Sequence, residues 1–147
     1  LEIRRGSWVS GLFSMGKSHG SVTVNVVANE LQAISSSSGA NADLTDIACS
    51  DLRLDASSGS GVEVSGRCDT VIIDASSGAN VDSSDLLTTD AAVEASSGAS
   101  IRVFAGESFR GDASSGSSIR VYGDPEVAEA ETSSGARIDL RRHTQTI

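Results

Sequence analysis

The sequence predicts an all-β, single-domain parallel β-helix, or β-solenoid, and a repeat and an alternation carry that expectation. The stretch Asp74-Ala75-Ser76-Ser77-Gly78-Ala79-Asn80-Val81 returns in variant form around Gly39, Gly59, Gly98, Gly116 and Gly135. Successive glycines of that series are 20, 19, 20, 18 and 19 residues apart, so each coil takes about 19 residues. A fixed period of that size marks stacked repeats, each of which buries its apolar face against its neighbours. Within each repeat, apolar or small residues occupy odd offsets from the glycine and mostly polar residues occupy even ones. That period of two is the pattern of a strand with one face inside.

Taken in order, residues 1–20 read as an N-terminal strand (Leu1 to Arg5) and a capping loop that carries Trp8 and Phe13. Residues 21–147 read as the solenoid, opened by a strand over Ser21 to Val27 in which Val22, Val24 and Val26 share a face. From Leu31 onward the repeats align in columns. Three residues after the glycine stand Ala42, Val62, Val81, Ile101, Ile119 and Ile138, and five after stand Leu44, Val64, Ser83, Val103, Val121 and Leu140. Five before stand Ile34, Leu54, Ile73, Val93, Gly111 and Ala130, and three before stand Ser36, Ala56, Ala75, Ala95, Ala113 and Thr132. Two strands joined at a Gly corner make a coil, and coils stacked ~4.8 Å apart turn equal columns into ladders. Small residues beside the corner fit its narrow interior, and the glycine supplies a backbone angle that other residues avoid. The segments between, such as Ser65-Gly66-Arg67 and Gly123-Asp124-Pro125, vary in length and read as loops. The bias of parallel crossovers predicts right-handed coiling.

Composition narrows the function classes. The 147 residues carry a net charge of −9 and a single lysine, Lys17. Such a balance offers no basic footprint for nucleic acid. Aromatic residues are too few for stacking platforms, and no run approaches the ~18 apolar residues of a membrane-spanning helix. The chain opens on Leu1 rather than Met, so we read it as trimmed or mature, with any secretion signal removed.

Repeated Ser-Ser-Gly-x-x-Val/Ile units, with Val121-Tyr122-Gly123-Asp124-Pro125-Glu126-Val127 and Ser133-Ser134-Gly135-Ala136-Arg137-Ile138, resemble the bacterial family described as putative auto-transporter adhesin, head GIN domain. The resemblance covers roughly Ser21 to Leu140. It implies a β-helical fold, secretion, and a periplasmic or cell-surface place in the envelope.

Several residue sets invite chemistry. Gly11-Leu12-Phe13-Ser14-Met15-Gly16-Lys17-Ser18 matches the GxxxxGK[ST] phosphate loop. That loop works by opening a helix whose N-terminal amides face the anion, whereas here the β-branched stretch Val22-Thr23-Val24 follows. Val71-Ile72-Ile73-Asp74 imitates the companion magnesium strand but is one copy of the repeat. We therefore expect no nucleotide, and no other cofactor. Cys49 and Cys68 each stand ten residues before the next corner glycine, which stacks them on adjacent coils within reach of a disulfide. An oxidising compartment favours a bridge between them, and a ladder of unbridged thiols is the alternative. Neither has a histidine near it in sequence, and His19 and His143 lie near opposite ends, so no triad or metal site is expected.

Four residues before the glycine lies an acidic column, Asp55, Asp74, Glu94, Asp112 and Glu131. Stacked like charges ~4.8 Å apart repel by somewhat under 1 kcal/mol per pair in water. Serine hydroxyls, solvent and the nearby Arg53 and Arg110 would offset this, and a divalent cation or a basic partner surface is the sharper reading. Four residues after the glycine runs a mixed row, Asp43, Glu63, Asp82, Arg102, Arg120 and Asp139. Outward carboxylates and arginines serve polysaccharide lyases and hydrolases built on β-helices, but Asp82 with Arg102, and Arg120 with Asp139, also read as salt bridges between coils. Short loops leave no cleft for catalysis.

The sequence thus points to a non-catalytic cell-envelope module that adheres to a protein or glycan surface, without inserting in the membrane. Its acidic ladder is the candidate partner-facing row. A self-associating scaffold is the alternative, because open solenoid ends, capped by residues 1–20 and 141–147, can join copies. A β-helix lyase or hydrolase is the more distant alternative.

Overall fold

We describe the computed structural model of the chain over residues 2–5, 23–26 and 31–141. Every regular element there is a strand. These are β1 (Glu2–Arg5), β2 (Thr23–Val26), β3 (Leu31–Ser36), β4 (Asn41–Ala56), β5 (Gly61–Ala75) and β6 (Asn80–Ala95). They continue with β7 (Ser100–Phe104), β8 (Ser108–Ala113), β9 (Ser118–Tyr122), β10 (Val127–Thr132) and β11 (Arg137–Arg141). Apart from β1, all pairings are parallel, as expected of coils that return to the same side one turn later. The result is a β-solenoid of about six turns.

The columns read in the sequence are the registers of the sheet. Ile34, Leu54, Ile73, Val93, Gly111 and Ala130 follow one another from coil to coil, and so do Asp55, Asp74, Glu94, Asp112 and Glu131. On the second side Asp43, Glu63, Asp82, Arg102, Arg120 and Asp139 are likewise aligned. Inward residues form one continuous core of Leu, Ile, Val and Ala, among them Leu54, Ile73, Ile101 and Ile119, each at 1% exposure or less.

Between those two sides each coil turns a shared corner. Ser37 to Ala40 shows its form: Ser38 has φ 58°, Gly39 has φ 74°, and the Ala40 N–H donates to the Ser37 carbonyl at 3.2 Å. Two successive residues with positive φ make a type I′ turn, repeated in all six coils. The sequence reading assigned the left-handed angle to the glycine alone. The serine before it shares that angle, with φ between 51° and 58° at Ser38, Ser58, Ser77, Ser97, Ser115 and Ser134. A left-handed L-residue costs ~1–2 kcal/mol. Corner amides offset this by extending the ladder: the Gly59 N–H donates to the Ser77 carbonyl and the Gly78 N–H to that of Ser97, both at 3.0 Å. Buried hydroxyls add further links, Ser60 to the Ser36 carbonyl at 2.8 Å and Ser117 to that of Ala95 at 2.9 Å.

The third side departs from expectation. Ser65, Gly66 and Arg67, read as loop, lie inside β5, and β4 to β6 run on as strands of 15 or 16 residues. The reason is a short inward ladder of Ile47, Cys68, Leu86 and Thr88, all buried, which gives this side a core of its own. Gly66 (φ 136°) permits the close approach, because a Cβ there would stand 2.1 Å from the Ile47 carbonyl oxygen. Gly123 repeats the device against Ala105, and 123–125 remain outside any strand, as read.

The gap that Gly111 leaves in its column is also accounted for. The ring of Phe109, two residues earlier, swings into the space, so that a Cβ on Gly111 would meet Cζ at 2.4 Å. Phe109 is 1% exposed. At the N-terminal end β1 lies antiparallel on β3 and β2 lies parallel on β4, covering the first coil. The capping loop over 6–20, with Trp8 and Phe13, and the segment 142–147 lie outside the described residues.

Candidate functional site

The −4 column forms a straight row of carboxylates on the outer face built by β3, the ends of β4 to β6, β8 and β10. Strand alternation sends Asp55, Asp74, Glu94, Asp112 and Glu131 outward while Leu54, Ile73 and Val93 point inward. Asp55 and Asp74 are half-buried, and the other three are exposed. Arg53 reaches along its strand to Asp55, with Nε 3.3 Å from Oδ2. Arg110 turns instead to Glu129 on the next coil, 2.9 Å away, and leaves Asp112 aside. Serine hydroxyls were expected to serve this row. Among the described residues they serve other acids, Ser84 donating to Asp82 at 2.7 Å and Ser108 to Asp90. The row therefore keeps most of its negative charge facing outward.

The second outer face carries the mixed row, and there the structure adds a feature the sequence reading missed. Asn41, Gly61, Asn80 and Ser100 form a parallel row at offset +2, and the two rows border an open groove of about 400 Å³ across four coils. Its floor is the backbone of Ala42, Val62 and Val81, and its walls include Asp43, Glu63, Asp82 and Arg102. Gly61 makes room for the Asn41 side chain, since a Cβ there would stand 2.5 Å from Asn41 Oδ1. The signal was a glycine among Asn41, Asn80, Ser100 and Ser118 in a column that ends on Arg137, visible only when even offsets are compared one column at a time.

Arg102 and Asp82 form the expected salt bridge between coils, at 3.9 Å with both side chains half-exposed. Asp139 departs from expectation: its ion pair is with Arg141 on its own strand, 3.3 Å away, rather than with Arg120. These charged groups stand on an open, wet surface, where they hold one another. No group of three or more His, Cys, Asp or Glu able to hold a metal ion occurs among the described residues.

Cys49 and Cys68 face each other in register on β4 and β5, with Cα atoms 4.6 Å apart and the sulfurs bonded. The bridge spans 19 residues, one coil, and lies beneath the third side. The phosphate-loop match, Gly11 to Ser18, and both histidines, His19 and His143, lie outside the described residues. The companion Val71-Ile72-Ile73-Asp74 is an ordinary part of β5, with Val71 and Ile73 in the core. No helix among the described residues is long and apolar enough to cross a membrane.

Stacked coils with outward ladders and an open groove define a repeat protein of the β-solenoid class. Residues 13–125 match the profile of the family described as putative auto-transporter adhesin, head GIN domain, and the chain belongs to that family. The fold is similar to the crystal structure of a putative adhesin from Bacteroides fragilis, with a TM-score of 0.70 and 19% sequence identity. That likeness covers 81% of this chain and 56% of the other, so the chain spans little more than half of its neighbour's length. No curated protein matches the sequence.

Proposed function

We propose that the chain is a non-catalytic adhesion module of the bacterial cell envelope that holds a protein or glycan surface through its outward ladders. The family name supports an extracytoplasmic or surface location and an adhesive role. The observation that carries the contact surface is the register of Asp55, Asp74, Glu94, Asp112 and Glu131, five carboxylates presented in a line by five successive coils. A rigid line of equal charges at ~4.8 Å intervals meets a repeating cationic surface at many points. Many weak contacts then add through avidity, where any one alone would be worth little. Openness favours adhesion over turnover, since catalytic carboxylates work in sites that exclude water.

The test is retention of beads carrying the chain on panels of immobilised glycans and extracellular proteins. The proposal expects retention on at least one surface, reduced severalfold by Asp74→Asn with Glu94→Gln and Asp112→Asn, and no change in the captured glycan. Failure of the unaltered chain to be retained anywhere would remove the adhesive reading. Cleavage of a glycan during capture would replace it with an enzymatic one.

A further inference from the structure

One window of the second outer face differs from the rest in charge and in aromatic content. Arg102 and Arg120 are the one pair of basic residues in register with each other among the described residues. Two residues further along the same strands, Phe104 and Tyr122 are in register as well. The alternation of β7 and β9 turns all four outward, above Ile101, Val103, Ile119 and Val121 of the core. Arg102 is exposed and the other three are half-buried. The chain holds one Trp, one Tyr and three Phe, too few by count to promise a platform, yet the solenoid sets two of those rings one coil apart. β7 pairs with β6 and β9, and β9 with β7 and β11, so the window lies within the stack.

The positive charge of the window is only partly cancelled. Asp82 stands 3.9 Å from Arg102, with both side chains half-exposed. Asp139 is taken by Arg141, which leaves Arg120 with no ionic partner among the described residues. Two guanidinium groups about one coil spacing, ~4.8 Å, apart repel each other, and an anion set between them relieves that repulsion. We infer that Arg102, Arg120, Phe104 and Tyr122 form a binding site for a uronic acid residue carried in an otherwise neutral glycan. The sugar carboxylate accepts charge-assisted hydrogen bonds from both guanidinium groups. The apolar C–H face of the sugar ring lies on the two aromatic side chains.

The surroundings select this ligand over other anions. In the same column Asp82 stands one coil before Arg102 and Asp139 one coil after Arg120. A nucleic acid, or a glycan charged on every sugar, would bring its next anions onto those carboxylates, whereas an isolated carboxylate fits between them. Because both strands are paired on each side, the face offers no free backbone edge to an extended acidic peptide. A sugar needs no such edge, since its hydroxyls both donate and accept. Arg102 also borders the open groove, so neutral sugars next in the chain continue past Ser100 and Asn80. This site lies on a different face from the acidic row and makes its contact by the opposite charge.

Isothermal titration of the intact chain tests the inference with four probes. They are a tetrasaccharide with one internal glucuronate, the same tetrasaccharide with that carboxyl reduced to the alcohol, tetragalacturonate, and an acidic pentapeptide. The glucuronate probe should bind about tenfold or more tighter than its reduced form, and tighter than the other two. Arg120→Ala should weaken it about tenfold and Tyr122→Ala about fivefold, while Tyr122→Phe stays within about twofold. Circular dichroism checks that each variant is folded. Equal affinity for the glucuronate and reduced probes would overturn the proposal, as would no binding of either. Tighter binding of tetragalacturonate or of the peptide would overturn it too, as would indifference to both alanine substitutions. Retention through the acidic row is read from other variants, so either reading can fail while the other stands.

Discussion

Phe109 and Gly111 offer the most informative perturbation of the core, because together they do what a pair such as Ala91 and Val93 does in the coil before. Removing the ring by Phe109→Ala leaves a hollow where a fully buried phenyl stood, and we expect a loss of ~3–5 kcal/mol. Gly111→Val alone should also destabilise. Its Cβ would stand 2.4 Å from Cζ and 2.7 Å from Cε1 of Phe109. Forcing the ring aside costs ~1–3 kcal/mol or more. Phe109→Ala with Gly111→Val reproduces the Ala-x-Val of β6, and the valine enters the space the ring has left. Simple addition of the two losses gives a total of ~4–8 kcal/mol, whereas we expect the double variant to lose only ~1–2 kcal/mol. Urea denaturation followed by far-UV circular dichroism measures all four proteins. A coupling energy of at least ~2 kcal/mol is the predicted outcome. Losses that add within ~0.5 kcal/mol would show that the ring does not fill the glycine's place in the column.

Glycines of two kinds should respond differently to alanine. Gly78→Ala meets no atom within 4 Å and suffers only the left-handed backbone at φ 74°, a cost of ~1–2 kcal/mol. Gly66→Ala drives its Cβ to 2.1 Å from the Ile47 carbonyl, and we expect a loss above ~3 kcal/mol or failure to fold, read from thermal unfolding. Reduction of the Cys49–Cys68 bridge should lower stability by ~3 kcal/mol, seen as a fall in Tm with dithiothreitol that a Cys49→Ala/Cys68→Ala variant does not show. Arg102→Ala breaks an exposed pair and should cost under ~1 kcal/mol in the same assay.

Most of the fold was legible because a solenoid writes its geometry as a period. Equal offsets from the corner glycine become equal positions on neighbouring coils, so the registers of Asp55, Asp74 and Glu94 could be read before any coordinates. What escaped were features that break the period by local packing. Gly111 appeared as a gap because the compensating ring belongs to a different column, −7 rather than −5. Ser65 to Arg67 read as loop because Ile47, Cys68 and Leu86 supply an apolar ladder in only three coils, too few for a pattern to stand out. The serines before the corner glycines gave no sign of their left-handed angle, since serine is common in turns of every type. At the candidate site, the acidic row followed from alignment, whereas the choice made by Arg110, to Glu129 rather than Asp112, depends on rotamers that no spacing encodes.

If the acidic row of successive coils makes the adhesive contact, a salt titration of retention should reveal it. Retention of the unaltered chain on its best surface is measured against ionic strength, beside the Asp74→Asn/Glu94→Gln/Asp112→Asn variant. Binding through the row predicts affinity that falls steeply with salt in the unaltered chain and only weakly in the variant. Two curves of equal slope and height would contradict it, and would move the contact to another face of the solenoid.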